Sequence, residues 1–307
     1  MNRSFVSLLL ATLTFVAVHA DHGDAQAQAW IRDPGSAFVQ LNYRLIRAER
    51  IYNPDGSVGD ILPYRQHAVG LYAEAGVVDR WLMLTVDGEL FRRNVLTDQA
   101  AVSGLGDIGI GAWTGLLEAP FRLSFGVHVG IPTGDETPEA PAGSDALAQT
   151  RASVLPTGDG EVDVALRLAA GHGFGWRKVQ QYVLADAGYV IRTTPRSAPG
   201  GLTPGDIRDQ FSWRIETGIR VDRPFIERFW FVLRVGGLLI VQDRDNTEGP
   251  ARFAGLGDGV DYTSFGAEIS FRMVPGWSVS FGMDGAFAAR NVPAAPAWKL
   301  GLSYEIN

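Results

Sequence analysis

The chain of 307 residues has no cysteine, 27 basic against 34 acidic residues and a mean hydropathy of +0.02. These figures exclude disulfide staples and thiolate chemistry and leave no strongly basic surface for nucleic acid. Beyond the N-terminus no run approaches the roughly 18 apolar residues of a membrane-spanning helix, so a helical membrane protein is excluded too.

Met1 to Ser4 carries one positive charge, Arg3, and precedes the apolar run Phe5 to Val18. That run is too short to span a bilayer and leads into small-residue sites, the pattern of a cleaved signal peptide. Residues 1–29 are assigned to it, with cleavage after Ala29 and with Ala20 and Ala27 as alternatives. Residues 30–307 form one domain, since no linker-like shift in composition divides them. Loss of Arg3, Asp21 and Asp24 takes the net charge from -7 to -6.

From there apolar and polar residues alternate with a period of 2, the signature of half-buried strands. The first apolar sets are Val39, Leu41, Tyr43 and Leu45, then Val69, Leu71, Ala73 and Ala75, then Leu82, Leu84, Val86 and Leu90. Ile108, Ile110, Ala112 and Leu116 come next. The clearest segment follows, with Phe121, Leu123, Phe125, Val127, Val129 and Ile131 on one face and Arg122, Ser124, Gly126, His128 and Gly130 on the other. Further sets begin at Val162, Val183, Phe211, Phe229, Thr263 and Val279, and the last is Trp298, Leu300, Leu302, Tyr304 and Ile306.

Short connections (Val78-Asp79-Arg80, Glu118-Ala119-Pro120, Gly171 to Gly175, Asp222 to Glu227, Val274-Pro275-Gly276) alternate with longer polar segments at about 47–63, 92–106, 133–160, 193–209, 243–260 and 289–296. Segments near ten residues, an even strand count and alternating loop lengths predict an all-β fold, an antiparallel transmembrane β-barrel of about twelve strands in the outer membrane of a Gram-negative bacterium. A soluble sandwich has strands of five or six residues and no reason for that alternation. Tyr64, Phe121, Phe211, Trp213, Phe229, Trp277 and Trp298 are placed near strand ends, as interfacial girdles require.

Gly104-Leu105-Gly106-Asp107 opens one strand, and the strand after the next tight turn closes on Pro132-Thr133-Gly134-Asp135. This pairing resembles the outer-membrane family named after the meta-pathway of phenol degradation, as does the turn Val78-Asp79-Arg80-Trp81. The resemblance is specific over about thirty residues and implies a barrel that lets small, often aromatic or apolar, compounds across the membrane. The chain departs from many outer-membrane proteins in ending Tyr304-Glu305-Ile306-Asn307, without the terminal aromatic presented to the insertion machinery. On the residues alone, Gly104, Gly106 and Gly134 suit strand entry and exit, and Asp107 and Asp135 suit capping of nearby amides. The alternative is a cation site drawing also on Asp159, Glu161 and Asp163.

Parity points many charges into the lumen: Asp87, Glu89, Arg122, Asp163, Arg167 and Asp186 in the first half, then Arg214, Glu216, Arg234, Glu268 and Arg272. Tyr72, Trp113, Tyr182 and Trp230 join them, with His128 as a polar neighbour. These residues are the lumen-lining candidates; the alternative is that they brace the wall. Twelve strands lie between the filled interior of eight and the open channel of sixteen. Inward glycines open space and bulky side chains close it, so a narrow or loop-gated lumen is expected.

The function expected is passive passage of small molecules, with a structural or adhesive barrel as the alternative and a barrel lipid hydrolase as a remote one. An enzyme is not expected. The mature chain has only His67, His128 and His172, none followed by Ser two positions on, and Ser124 and His128 lie about 13 Å apart along a strand. No catalytic, cofactor or metal residue is assigned. The expected partners are outer-membrane lipid and lipopolysaccharide, the insertion machinery and a small-molecule solute.

Overall fold

The computed structural model describes residues 28–96, 101–139, 155–193, 208–241 and 259–306. Nearly all of the expected signal segment, and the middle of segment 133–160, lie outside them.

The wall is built by β1 (Ala37–Tyr52), β2 (Val58–Val78), β3 (Leu82–Leu96), β5 (Ile108–Leu117), β6 (Arg122–Ile131), β7 (Asp163–Trp176), β8 (Val179–Arg192), β9 (Gln210–Val221), β10 (Phe229–Ile240), β11 (Asp261–Val274), β12 (Trp277–Arg290) and β14 (Ala297–Ile306). The short β4 (Ala101–Gly104) and β13 (Val292–Pro293) add to β3 and β1 at the long-loop end. Each wall strand is antiparallel to its neighbours, and β1 pairs both with β2 and, from Ala37↔Ile306 to Ile46↔Ala297, with β14. The sheet therefore closes and leaves no edge, the condition a β-structure must meet in lipid.

Alternation decides which side chains face lipid. Ile215 and Leu300 are more than half exposed, and Leu166, Phe231 and Phe281 are nearly so. A girdle of that kind running round the wall is stable only against an apolar solvent. Among the described residues most buried apolar side chains gather in clusters near the two ends of the lumen.

Three expectations change. The segment 47–63 is mostly strand, because β1 and β2 keep pairing beyond the apolar band to a tight turn where the Asn53 amide donates to the Ser57 carbonyl at 2.8 Å. The glycines from Gly171 to Gly175 lie within β7, and the turn falls at Arg177, which takes a φ of 55°. Tyr64 is buried on the inner face, not in a girdle, since parity and not height along the strand sets its direction.

A bulge in β3 matters more. Val69 pairs with Phe91 and Gly70 with Glu89, which leaves Leu90 unmatched and resets the parity. Arg92, Asn94 and Leu96 consequently turn inward, where unbroken alternation would aim Arg92 and Asn94 at lipid.

Candidate functional site

The chain before β1 runs inside the barrel. Ala29 is buried with Met83, Trp113, Ala169, Tyr182 and Leu184, and Trp30 and Ile31 pack against them. Trp30 meets the Tyr182 ring edge-on at 6.3 Å between centroids. Arg32 Nε donates to Glu74 Oε2 at 2.7 Å and Nη1 to Glu305 Oε1 at 3.1 Å, while the Ser124 hydroxyl donates to the Gln28 carbonyl at 2.6 Å. Tyr72 donates to the other oxygen of Glu74. Residues 28–33 thus fill the lumen toward the short-turn end. No periodic signal marks them, so sequence reasoning missed this plug.

Beside the plug lies a cavity of about 460 Å³ that reaches the short turns at Glu227, Arg228, Pro275 and Gly276. Eight of the predicted lining residues border it: Tyr72, Tyr182, Arg214, Glu216, Trp230, Arg234, Glu268 and Arg272. Gln28, Arg32 and Phe38 line it as well. Its five arginines, Arg32, Arg214, Arg228, Arg234 and Arg272, meet five glutamates, Glu74, Glu216, Glu227, Glu268 and Glu305, so neither sign prevails.

The other eight candidates, also on inner-face positions, do not border this cavity. Asp87 pairs with His128 Nε2 at 2.7 Å, and Glu89 accepts from Arg44 and lies 3.6 Å from Arg92 Nε. Asp186, almost fully buried, bridges Arg167 and Arg214 at 2.6 Å each. Trp113 carries the Arg167 guanidinium over its ring at 5.8 Å. Asp163 lies beside Asp159 and Glu161, and Arg122 stands at the short-turn end of β6. With Arg234 bonded to Glu268, and Lys299 to Asp284, charges of alternating sign brace neighbouring strands around much of the lumen. Ser124 and His128, the nearest approach to a dyad, are thereby engaged with different partners.

The inward glycines do not leave empty space. A Cβ on Gly126 would fall 2.4 Å from the Trp113 ring, and one on Gly218 would fall 1.9 Å from Tyr182. Neighbouring side chains, rings at these two positions and polar groups such as Asn42, Asp284 and Ser280 at others, occupy the room they vacate.

At the long-loop end the family-motif residues assemble. The Asp107 carboxylate accepts the amides of Gly134 at 3.0 Å and Asp159 at 2.9 Å, and the Thr133 hydroxyl donates to the Gly106 carbonyl at 2.6 Å. The Asp135 amide donates to the Thr157 hydroxyl at 2.9 Å, and its carboxylate accepts the Thr137 amide at 3.0 Å. Gly104 lies against Thr157, and the packed segment includes Pro132. This clamp folds residues 155–161 inward, where Leu155 joins Tyr64, Leu96 and Val102 and the Asn94 amide donates to the Pro156 carbonyl at 2.7 Å. Burial and the neighbouring Asp159 charge push the Asp107 carboxyl up to about 6, and burial, then Asp163, raises Asp159. Asp159, Glu161 and Asp163 hold carboxylates within 4.8 Å of one another, but Arg192 answers Glu161 at 2.8 Å. With both Asp107 oxygens taken by amides, the cluster serves the loop clamp.

No protein-family model and no curated protein matches this sequence. Solved structures do match. The chain overlays a crystal structure of an outer membrane channel from Pseudomonas putida F1 at 14% identity and a TM-score of 0.63, over 94% of this chain and 100% of that one. Weaker overlays include the translocator domain of the autotransporter NalP from Neisseria meningitidis, with 11% identity, 90% of each chain and a TM-score of 0.46. The KdgM porin matches at 6% identity, 87% of this chain, 99% of that one and a TM-score of 0.43. The fold is that of an outer-membrane barrel.

Proposed function

We propose that this protein is a plugged outer-membrane channel that passively admits small, uncharged or weakly polar molecules. The observation that carries the reading is the plug: the lumen is narrowed by a segment that is not part of the wall and that touches an internal cavity. A wall meant only for rigidity would have no need of a cavity bordered by Phe38, Tyr72, Tyr182 and Trp230. The balanced charge argues against ion selectivity, and the aromatics suit flat apolar solutes. The likeness to a channel and the resemblance carried by Gly104 to Asp107 and Pro132 to Asp135 support the same reading. Passage then requires residues 28–33 to leave their seat.

The reading includes export by a signal peptide and insertion by the outer-membrane machinery. Cleavage after Ala20 or Ala27 keeps the contacts of Gln28 and Ala29, whereas cleavage after Ala29 removes them. We therefore favour the upstream sites, and N-terminal sequencing of the mature protein decides between them.

The test of function is uptake into liposomes, comparing small aromatic solutes with sugars and salts, for the intact protein and for one lacking residues 28–33. Faster uptake by the truncated protein, with aromatic solutes ahead, is the expected result. No uptake by either, from protein whose gel mobility still shifts on boiling as a closed barrel's does, would favour the structural barrel.

A further inference from the structure

We propose that the outer faces of β1, β2 and β3, at the long-loop edge of the apolar band, form a binding site for the phosphate groups of lipid A, the glycolipid of the outer leaflet. The inference rests on the outer-membrane placement and is independent of whether the lumen conducts.

On these strands the outward apolar sets stop at a basic residue: Leu45 gives way to Arg47, Val69 to His67 and then Arg65, and Phe91 to Arg93. Register brings them together. Arg47 lies directly opposite Arg65, and Arg93 directly opposite His67. Cross-strand partners have Cβ atoms about 5 Å apart and diagonal ones about 7–8 Å, so the three guanidinium groups share one patch. All three arginines are exposed, and among the described residues none of their side chains has a hydrogen bond or ion pair with a protein group. Glu49, at the bulge just beyond Arg47, pairs with none of them.

The contrast with the interior is chemical. Inside, Arg44, Arg167, Arg214 and Arg234 each hold a carboxylate. Outside, like charges stand directly opposite one another, which weakens a sheet unless an anion is shared between them. Toward the same end, β8 and β10 carry the exposed apolar residues Ile191 and Leu239 in place of arginine. Below it, on the lipid-facing side, the Tyr43 hydroxyl and His67 Nδ1 are hydrogen-bonded at 2.6 Å, a polar pair at the depth where sugar and phosphate meet acyl chains. Guanidinium groups bind phosphate through two parallel hydrogen bonds, and clusters of them at a membrane surface recognise anionic headgroups.

The experiment measures binding of bisphosphorylated lipid A to the full mature protein in detergent by native mass spectrometry, with dephosphorylated lipid A, a zwitterionic phospholipid and inorganic phosphate as comparison arms. Bisphosphorylated lipid A should bind best and should weaken in high salt. R65Q should lose roughly fivefold, and the triple variant R47Q/R65Q/R93Q about a hundredfold. R177Q, at a short turn on the opposite rim, should bind as the parent does. Equal binding of dephosphorylated lipid A, or a triple variant that binds like the parent, overturns the proposal. Displacement of lipid A by millimolar inorganic phosphate overturns it in favour of a free anion. Boiling-dependent gel mobility reports folding; should the triple variant misfold, R65Q and the salt titration of the parent carry the decision.

Discussion

The lumen is narrowed at both ends, and the two closures are built differently. At the long-loop end, residues 155–161 are tethered on both sides to wall strands and held mostly through their backbone groups, on Asp107, Asn94 and Asp135, with one buried ion pair between Glu161 and Arg192. At the short-turn end, residues 28–33 lead directly into β1 and are held by a buried ion-pair network centred on Arg32. Backbone hydrogen bonds spread over a two-ended loop give up a closure only piecemeal. A few charged contacts on one short segment can be released together. On the proposed channel function, this asymmetry gives the static role to the outer closure and the moving role to the inner one.

Cutting the ion pair is the strongest way to break this comparison. R32A strips Glu74 of its guanidinium partner in a nearly dry site, a change of about 3–5 kcal/mol against the seated plug. At about 1.4 kcal/mol per tenfold, that moves the seating equilibrium by roughly two to three and a half orders of magnitude. Planar-bilayer recordings should show long open events in R32A and rare ones in the parent. Unchanged recordings would mean that the apolar contacts of Ala29 and Trp30 hold the plug and that Arg32 is incidental.

The outer closure should respond less, and differently. N94A removes the donor to the Pro156 carbonyl and the acceptor used by Tyr64 and Gln66, leaving buried groups unpaired at about 1–3 kcal/mol. The expected result is roughly tenfold faster proteolysis within 155–161 with conductance close to the parent's. A conductance rise equal to that of R32A would make both ends gates.

Charge reversal in the cavity sharpens the picture of the path. R234E places two carboxylates where Arg234 now bonds Glu268, and E268R does the converse. Either should change solute uptake severalfold if the cavity lies on the route, and the double swap should restore most of it. Equal rates for all four proteins would leave the pair as bracing.

Much of this architecture is legible in the sequence because a membrane barrel imposes one rule on every strand: charge inward, apolar outward, period 2. From parity alone that rule puts Asp186, Arg214, Arg234 and Glu268 on the inner face, the face they occupy in the structure. It fails where the rule is locally suspended. The extra residue at Leu90 flips Arg92 and Asn94, and a bulge leaves no mark in a run such as Glu89-Leu90-Phe91. It fails again at the edge of the apolar band, where Arg47 and Arg93 make strand resemble loop. The plug was invisible for a different reason, since residues 28–33 are shaped by the lumen they occupy and carry no periodicity of their own. The Gly104–Asp107 and Pro132–Asp135 pairing was visible as a motif, and its work as a clamp on the returning loop emerged only with the fold.

The smallest effect expected is the pH response of that clamp, and its sign is fixed. The Asp107 carboxyl titrates near 6 in the folded protein, above its ordinary value of 3.8. Between those two values the folded state holds more protons than the unfolded one, so its stability falls as pH rises through the window and levels off above it. The outer closure should therefore be slightly tighter at pH 5 than at pH 7. Hydrogen exchange at the Asp159 amide, corrected for the intrinsic effect of pH, reads this directly. D107N keeps an acceptor for the Asp159 amide while removing the charge, so it should flatten the dependence and leave the closure in place. A closure that loosens on acidification would show that the ionised Asp107 is worth more as an acceptor for the Gly134 and Asp159 amides than its burial beside Asp159 costs.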